Sequence, residues 1–169
     1  MSDETESGRI WAPWRIDYIL GSKASGCPFC IGWEAGPGEA HLVLAQKQHS
    51  MVIMNRYPYA GAHLMVVPQE HVASITELSV DAYTELMGLL RETMIRLERA
   101  LGCQGMNIGV NQGEAAGAGI EAHAHIHLVP RWRGDTNFMP VTAGMRVISQ
   151  GLEHAYRMLQ PHFEDLNER

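Results

Sequence analysis

The stretch H-A-H-I-H-L-V-P places three histidines, His123, His125 and His127, at alternate positions in one short apolar run. Alternation is the period of an extended strand, on which successive side chains point to opposite faces. Read that way, the three imidazoles share one face. Ala124, Ile126 and Leu128 share the other, an apolar face fit for a core. The chain has nine histidines, and three of them fall within these five residues. A row of imidazoles adds little to packing, and each one needs a partner to offset its desolvation. It suits metal binding, nucleophilic catalysis or delivery of charge to an anionic substrate.

The rest of the chain bounds these options. At 169 residues, 46% hydrophobic and 19% charged, it has the length and composition of one globular domain with a real core. A net charge of -6 and a pI of about 5.8 make it a poor non-specific nucleic-acid binder, because counterion release needs a basic surface. A small anionic ligand remains possible, since a local site can be positive on an acidic protein. No apolar run is long enough to span a bilayer, so no membrane partner is expected. The start, M-S-D-E-T-E-S, lacks the basic and apolar regions of a signal peptide, and the expected location is cytoplasmic.

Along the chain, residues 1–8 read as a disordered tail and 9–169 as a single domain. R-I-W-A-P-W-R-I-D-Y-I-L is dense in aromatics that must pack on the core or on a partner subunit. Residues 21–40, rich in Gly and Pro, read as a loop carrying Cys27 and Cys30. Short strands are expected at His41–Leu44, Met51–Met54 and Leu64–Val67, the last ended by Pro68. Tyr83, Leu86, Met87, Leu90, Met94, Leu97 and Leu101 follow helical spacing over 79–101, with Ser79 as N-cap and Gly102 as stop. In this reading Met87, Leu90 and Met94 are core. A strand at Met106–Asn111, a Gly/Ala-rich loop at 112–119, the histidine strand over 122–129 and a closing helix over 146–159 complete the pattern. Strands on both sides of one long helix define an α+β class with a mostly antiparallel sheet.

Three chemistries remain open for the histidine row. It can be a structural strand satisfied by local hydrogen bonds. It can hold zinc with an open coordination position. Or its central member can be a nucleophile while its neighbours handle charge, which requires a hydrogen bond to fix the tautomer. The cysteine pair C-P-F-C is half a zinc site or a redox pair, and the βαβ context of a thioredoxin-like motif is missing. The third cysteine, Cys103, reads as an ordinary thiol. The upstream loop G-V-N-Q-G-E-A-A-G-A-G offers backbone amides that can approach phosphate oxygens.

Taken together, His123-Ala124-His125-Ile126-His127-Leu128-Val129, N-R-Y-P-Y-A-G-A-H-L-M-V-V-P-Q-E-H, W-A-P-W-R and V-P-R-W-R-G-D-T-N-F-M-P resemble the histidine triad (HIT) family of nucleotide hydrolases and transferases. They are most like its bacterial diadenosine tetraphosphate phosphorylase-like branch. The resemblance runs from about Cys27 to Pro140. It implies a HIT-like fold with a five-stranded sheet, a long helix and a C-terminal helix, in a two-fold homodimer whose sheets join.

The resemblance also implies roles. His125 would be the nucleophile, attacking the α-phosphorus of a nucleoside polyphosphate or AMP conjugate. His127 would contact phosphate oxygens, and His63 would support the catalytic strand. Asn55 would meet the ribose, while Asn111, Gly113, Gly117 and Gly119 would form the phosphate-side wall. Cys27, Cys30, His71 and His123 match a structural zinc site used by some relatives. No organic cofactor is implied. Two departures stand out. Gly119 occupies a position where many members carry Gln on the leaving-group side, and the loop is about one residue longer. Ala62 replaces the usual Gly before His63.

Other residues read as bland. Trp132 and Phe138 suit packing better than stacking on adenine, and Arg131 and Arg133 suit the surface. His41, His49, His154 and His162 read as surface or structural. Two competing functions stay open at this stage: a nucleotide-binding adaptor with little turnover, and a zinc metallohydrolase using the triad itself.

Overall fold

A computed structural model describes residues 26–135 and 151–167. The apolar runs form one five-stranded antiparallel sheet: β1 (Val43–Gln46), β2 (Ser50–Met54), β3 (Leu64–Pro68), β4 (Gly105–Val110) and β5 (Ile126–Arg131), in the spatial order β1-β2-β3-β5-β4. The class is α+β, as the sequence implies. β2 and β3 are buried along their whole length, and Ile126 to Pro130 are buried in β5. β4 is an edge strand, paired only with β5 and largely exposed.

The long helix, α2 (Val80–Leu101), lies on one face of the sheet against β2 and β3. Ser79 caps its first turn, its side chain accepting from the Ala82 amide, and Gly102 ends it in the left-handed region at φ 56°. The buried residues are Ala82, Leu86, Leu89, Leu90, Thr93 and Leu97. This corrects the sequence-based stripe, since Tyr83 and Met87 are exposed at 44% and 39%. Thr93 was hidden from a hydrophobicity count because it is polar. It satisfies itself by donating its hydroxyl to the Leu89 carbonyl.

Three boundaries differ from expectation. The 21–40 loop contains a helix, α1 (Pro28–Ala35). Pro28 sits at the first turn, where its missing N–H costs nothing, and Gly36 stops the helix at φ 72°. The same Gly and Pro residues that suggest a loop therefore bracket a short helix. The first strand begins at Val43, because His41 and Leu42 lie in the preceding turn.

The ladder of β5 begins only at Ile126, so His123 and His125 precede it. β3 ends at Pro68, which has no N–H to offer the ladder. The chain beyond is tied differently, with the Ala124 amide donating to the Val72 carbonyl at 2.7 Å. The closing helix, α3 (Leu152–Leu159), packs Ala155, Tyr156 and Leu159 into the core. The W-A-P-W-R segment, Phe138 and residues 146–150 of that expected helix lie outside the described residues.

Candidate active site and metal-binding group

β3 and β5 are neighbours, and their shared register places Met65 opposite His127. His63, just before β3, therefore reaches the histidine strand. Four imidazoles, those of His63, His123, His125 and His127, are buried together at 9% exposure or less. Adjacent rings pack edge-on or tilted, with centroids 4.7 Å apart for His125–His127 and 5.1 Å for His63–His127.

Each ring has a definite protonation pattern. Tyr59 N–H donates to His63 Nδ1 at 3.1 Å, and the Asn55 amide nitrogen lies 3.3 Å from the same atom. Nδ1 is thus an acceptor and the proton of neutral His63 sits on Nε2. That Nε2 lies 3.0 Å from His127 Nδ1 and donates to it, so His127 carries its own proton on Nε2. His125 runs the other way. Its Nδ1 lies 2.9 Å from the His123 carbonyl, which only accepts, so Nδ1 is protonated and Nε2 keeps a lone pair. His123 Nε2 donates to the Pro68 carbonyl at 2.9 Å, leaving its Nδ1 as a lone pair.

Burial drives the electrostatics. Desolvation, then the nearby His127 and His125, push the His63 pKa down to about 3. Desolvation and His125 lower His127 to about 4. Burial also lowers His125 and His123, partly opposed by the carbonyl that each donates to. All four rings are neutral near pH 7, which is the state their tautomers require.

A second group of ligand atoms lies beside the first. Cys27 Sγ is 3.4 Å from His123 Nδ1. Cys30 Sγ is 3.2 Å from His71 Nδ1 and 3.7 Å from His123 Nδ1, and the two Nδ1 atoms are 3.2 Å apart. Corners of a tetrahedron with metal–ligand bonds of about 2.0–2.3 Å are about 3.3–3.8 Å apart. The four residues form a group that can hold a metal ion. Burial and the neighbouring Cys27 raise the Cys30 thiol, an effect a bound cation reverses. Phe29, buried between the two cysteines in sequence, packs its ring against both His123 and His125 at 5.3 and 5.0 Å. Two of the triad's three lone pairs are engaged elsewhere: His123 Nδ1 faces the cysteines and His127 Nδ1 accepts from His63, which leaves that of His125 Nε2. This geometry disfavours a metal held by the triad itself.

Of the other residues expected at the site, Asn111 lines a cleft with His127. Asn55 lies within the hydrogen-bond chain of His63, its side-chain Oδ1 also accepting from the Tyr57 amide. Gly113 and Gly117 shape the 112–119 loop around a short 3-10 turn, at φ 82° and 75°, and Gly119 lies in the same loop. No contact of these glycines with the triad is seen among the described residues. Ala62 adopts φ 55°, a left-handed conformation that explains why glycine suits this position. Arg131 pairs with Asp135 and Trp132 is half-buried. His41, His154 and His162 are exposed and His49 is half-buried. Sequence reasoning missed Tyr59, Phe29 and the Pro68 carbonyl. All three stood inside quoted motifs, but only a fold reveals what a ring, a backbone N–H or a carbonyl meets.

The antiparallel sheet of this α+β fold and the buried cluster of histidines at the starts of β3 and β5 define a class recognisable beyond this chain. A family model described as the HIT domain matches residues 39–134. The chain is 33% identical over 159 residues to the AP-4-A phosphorylase of Mycobacterium tuberculosis, covering 89% of this chain and 82% of that protein. It is 29% identical over 86 residues to the asymmetrical bis(5'-nucleosyl)-tetraphosphatase of Schizosaccharomyces pombe, covering 51% of this chain and 47% of that protein. Among solved structures, a zinc-bound histidine triad family protein from Mycobacterium smegmatis superposes with a TM-score of 0.65 at 21% identity, covering 83% of this chain and 95% of that one. The chain belongs to the HIT family.

The depressed histidine values carry a pH consequence. Unfolded imidazoles protonate near pH 6.5, whereas folded His63 and His127 do so only near 3 and 4. Between those limits the unfolded chain binds more protons, so stability is complete above about pH 6.5 and falls as the pH drops toward 4. Urea unfolding at pH 7 and pH 5 is expected to give a lower midpoint at pH 5, and equal midpoints would contradict the neutral cluster.

Proposed function

We propose that this protein is a nucleotidyl hydrolase or transferase that cleaves diadenosine polyphosphates, or related AMP esters and amidates, through a covalent nucleotidyl intermediate on His125. One observation carries the reading: His125 donates from Nδ1 to a backbone carbonyl, which leaves the Nε2 lone pair for attack, while its neighbour His127 presents an Nε2 proton. A pure binder has no need of that opposition.

In the first step His125 Nε2 attacks the α-phosphorus. A P–N bond forms, the bond to the leaving group breaks, and the His127 Nε2–H stabilises the charge that develops on the phosphoryl or departing oxygen. His63 holds His127 in the donating tautomer, and the Tyr59 amide holds His63. In the second step water or inorganic phosphate attacks phosphorus, the P–N bond breaks, and His125 is restored. Positioning and electrostatics supply the catalysis, and the neutral rings carry no charge of their own until the reaction creates it. Names of relatives on both sides of the acceptor question, a phosphorylase and a tetraphosphatase, support the reaction class.

Cys27, Cys30, His71 and His123 would hold a structural zinc ion, whose chemistry there is to fasten the start of α1 to the segments flanking β3 and β5. Two thiolates and two imidazoles suit zinc, and a histidine triad relative of the same fold is zinc-bound. The exposed edge of β4, with Ile108 at 42%, would pair with a second copy across a two-fold axis. The cytoplasm is the proposed location.

Incubation with diadenosine tetraphosphate, with and without inorganic phosphate, separates the acceptors. ADP formed only with phosphate identifies a phosphorylase, and AMP formed without it a hydrolase. His125→Ala is expected to abolish turnover and the acid-labile nucleotidyl adduct on the protein. Full activity in that variant would overturn the covalent mechanism. Metal analysis of the purified protein is expected to give one zinc per chain, lost in Cys27→Ser, and undiminished zinc in that variant would refute the ligand set. For assembly, light scattering is expected to give twice the 18.8 kDa chain mass, reverting to one chain in Ile108→Lys. A monomeric unmodified protein would exclude the edge pairing.

A further inference from the structure

Cys27 is the N-cap of α1 and Cys30 its third residue, with Pro28 and Phe29 between them. These are the two positions whose side chains meet across the first turn of a helix, the positions that a capping box uses. Cys27 makes no capping bond with its side chain. Its thiol belongs to the ligand group instead, whose four atoms lie within 4.8 Å of one another. The pair is also within reach of solvent. Both cysteines are half-exposed and His71 is exposed, whereas His123 is buried. Cys103, just past the end of α2, is not in the group. Cys27 and Cys30 therefore have each other as the cysteine at hand.

On its buried side the group joins the catalytic segment. His123 presents its ring Nδ1 to the cysteines and its carbonyl to His125 Nδ1, at 2.9 Å. The next residue, Ala124, donates to the carbonyl of Val72 at 2.7 Å, one residue past His71. The two histidine ligands thus flank one backbone cross-tie. What pins their rings also pins the carbonyl that sets the His125 tautomer.

Cysteines that hold a metal do so as thiolates, the form that attacks a peroxide. One sulfur takes an OH group from hydrogen peroxide, the O–O bond breaks, and hydroxide leaves. The second thiolate attacks the resulting sulfenic sulfur, an S–S bond forms, and a second hydroxide leaves. The pair is oxidised by two electrons, the peroxide is reduced by two, and two protons from solvent complete two waters. Neither disulfide sulfur remains a thiolate, so half of the ligand set is lost and with it the hold on the ion.

We propose that Cys27 and Cys30 form a thiol switch: hydrogen peroxide joins them as a disulfide, expels the metal and frees the backbone tie that holds His125 ready for attack. The inference rests on the zinc and nucleotidyl-transfer readings above. It gives the adjacency of the cysteines a use, since ligands on separate segments could hold a metal without being able to pair.

The test treats the purified, metal-loaded protein with hydrogen peroxide. A chromogenic chelator is expected to register release of one zinc per chain. The peptide that carries both cysteines is expected to lose about two mass units, the two hydrogens of the reduced pair. The Ala124 amide is expected to lose protection against hydrogen exchange. Turnover of diadenosine tetraphosphate is expected to fall about tenfold or more in kcat, with KM little changed. Dithiothreitol with zinc is expected to reverse all four effects, which methionine oxidation would not allow. Cys103→Ser is expected to respond as the unmodified protein does. If the treated protein keeps its zinc, carries no Cys27–Cys30 disulfide, or loses zinc while Ala124 stays protected or kcat holds, the switch is wrong and the zinc reading stands. If the untreated protein carries no zinc, the zinc reading falls and the switch falls with it. An untreated protein inactive on diadenosine tetraphosphate would remove the transfer reading, and the first three readouts then decide the switch alone.

Discussion

Four imidazoles buried within contact of one another cannot all be charged, and the site depends on how that constraint is met. Each ring is kept neutral by desolvation and by its neighbours, and each neutral ring must then place one proton on one of two nitrogens. Backbone groups decide three of the four placements: the Tyr59 amide for His63, the His123 carbonyl for His125 and the Pro68 carbonyl for His123. His127 follows from His63. Three histidines that look equivalent in sequence thereby become a nucleophile-shaped ring, a donor-shaped ring and a ligand-shaped ring.

The sheet exists around this arrangement in a concrete sense. β3 and β5 pair over only three residues before Pro68 ends the ladder. The two histidines beyond the ladder are then fixed by other means: a carbonyl that Pro68 still offers, a hydrogen bond from the Ala124 amide to the Val72 carbonyl, and the packing of Phe29. The cysteines that flank Phe29 belong to the ligand group that also contains His123. His123 thus serves both groups, its ring among the metal-ligand atoms and its carbonyl at His125 Nδ1.

Much of this was legible in the sequence, and the reasons for the gaps are physical. The α+β class, the extent of α2 and the approximate places of the strands followed from periodicity, and the caps of α2 from Ser79 and Gly102 themselves. The approach of the two cysteines to His71 and His123 came from the family resemblance, and neither thiol chemistry nor spacing alone could give it. The start of β5 was misplaced because alternation persists past the end of a hydrogen-bonded ladder. α1 was missed because Pro and Gly punctuate both loops and short helices. Tyr83 and Met87 were misjudged because a stripe read from apolar letters is wider than the face that packs, and Thr93 was passed over as polar. The tautomers were illegible, since three of the four depend on main-chain groups whose partners only the fold decides.

That last point bears on how such a site tolerates change. Because carbonyls and an amide set three of the four protons, substitutions at the residues that supply those main-chain groups leave the groups in place. What disturbs them is a change in chain length. The 112–119 loop, exposed except at Ala118, carries none of these proton-setting bonds. One residue more between His123 and His125 would carry the carbonyl away from its ring and remove the bond that fixes which nitrogen is basic. The portable unit is therefore a spacing, two residues from carbonyl to ring and four from Tyr59 to His63. A protein designer who grafts the histidines without copying that backbone path would transplant the letters and lose the acid–base order.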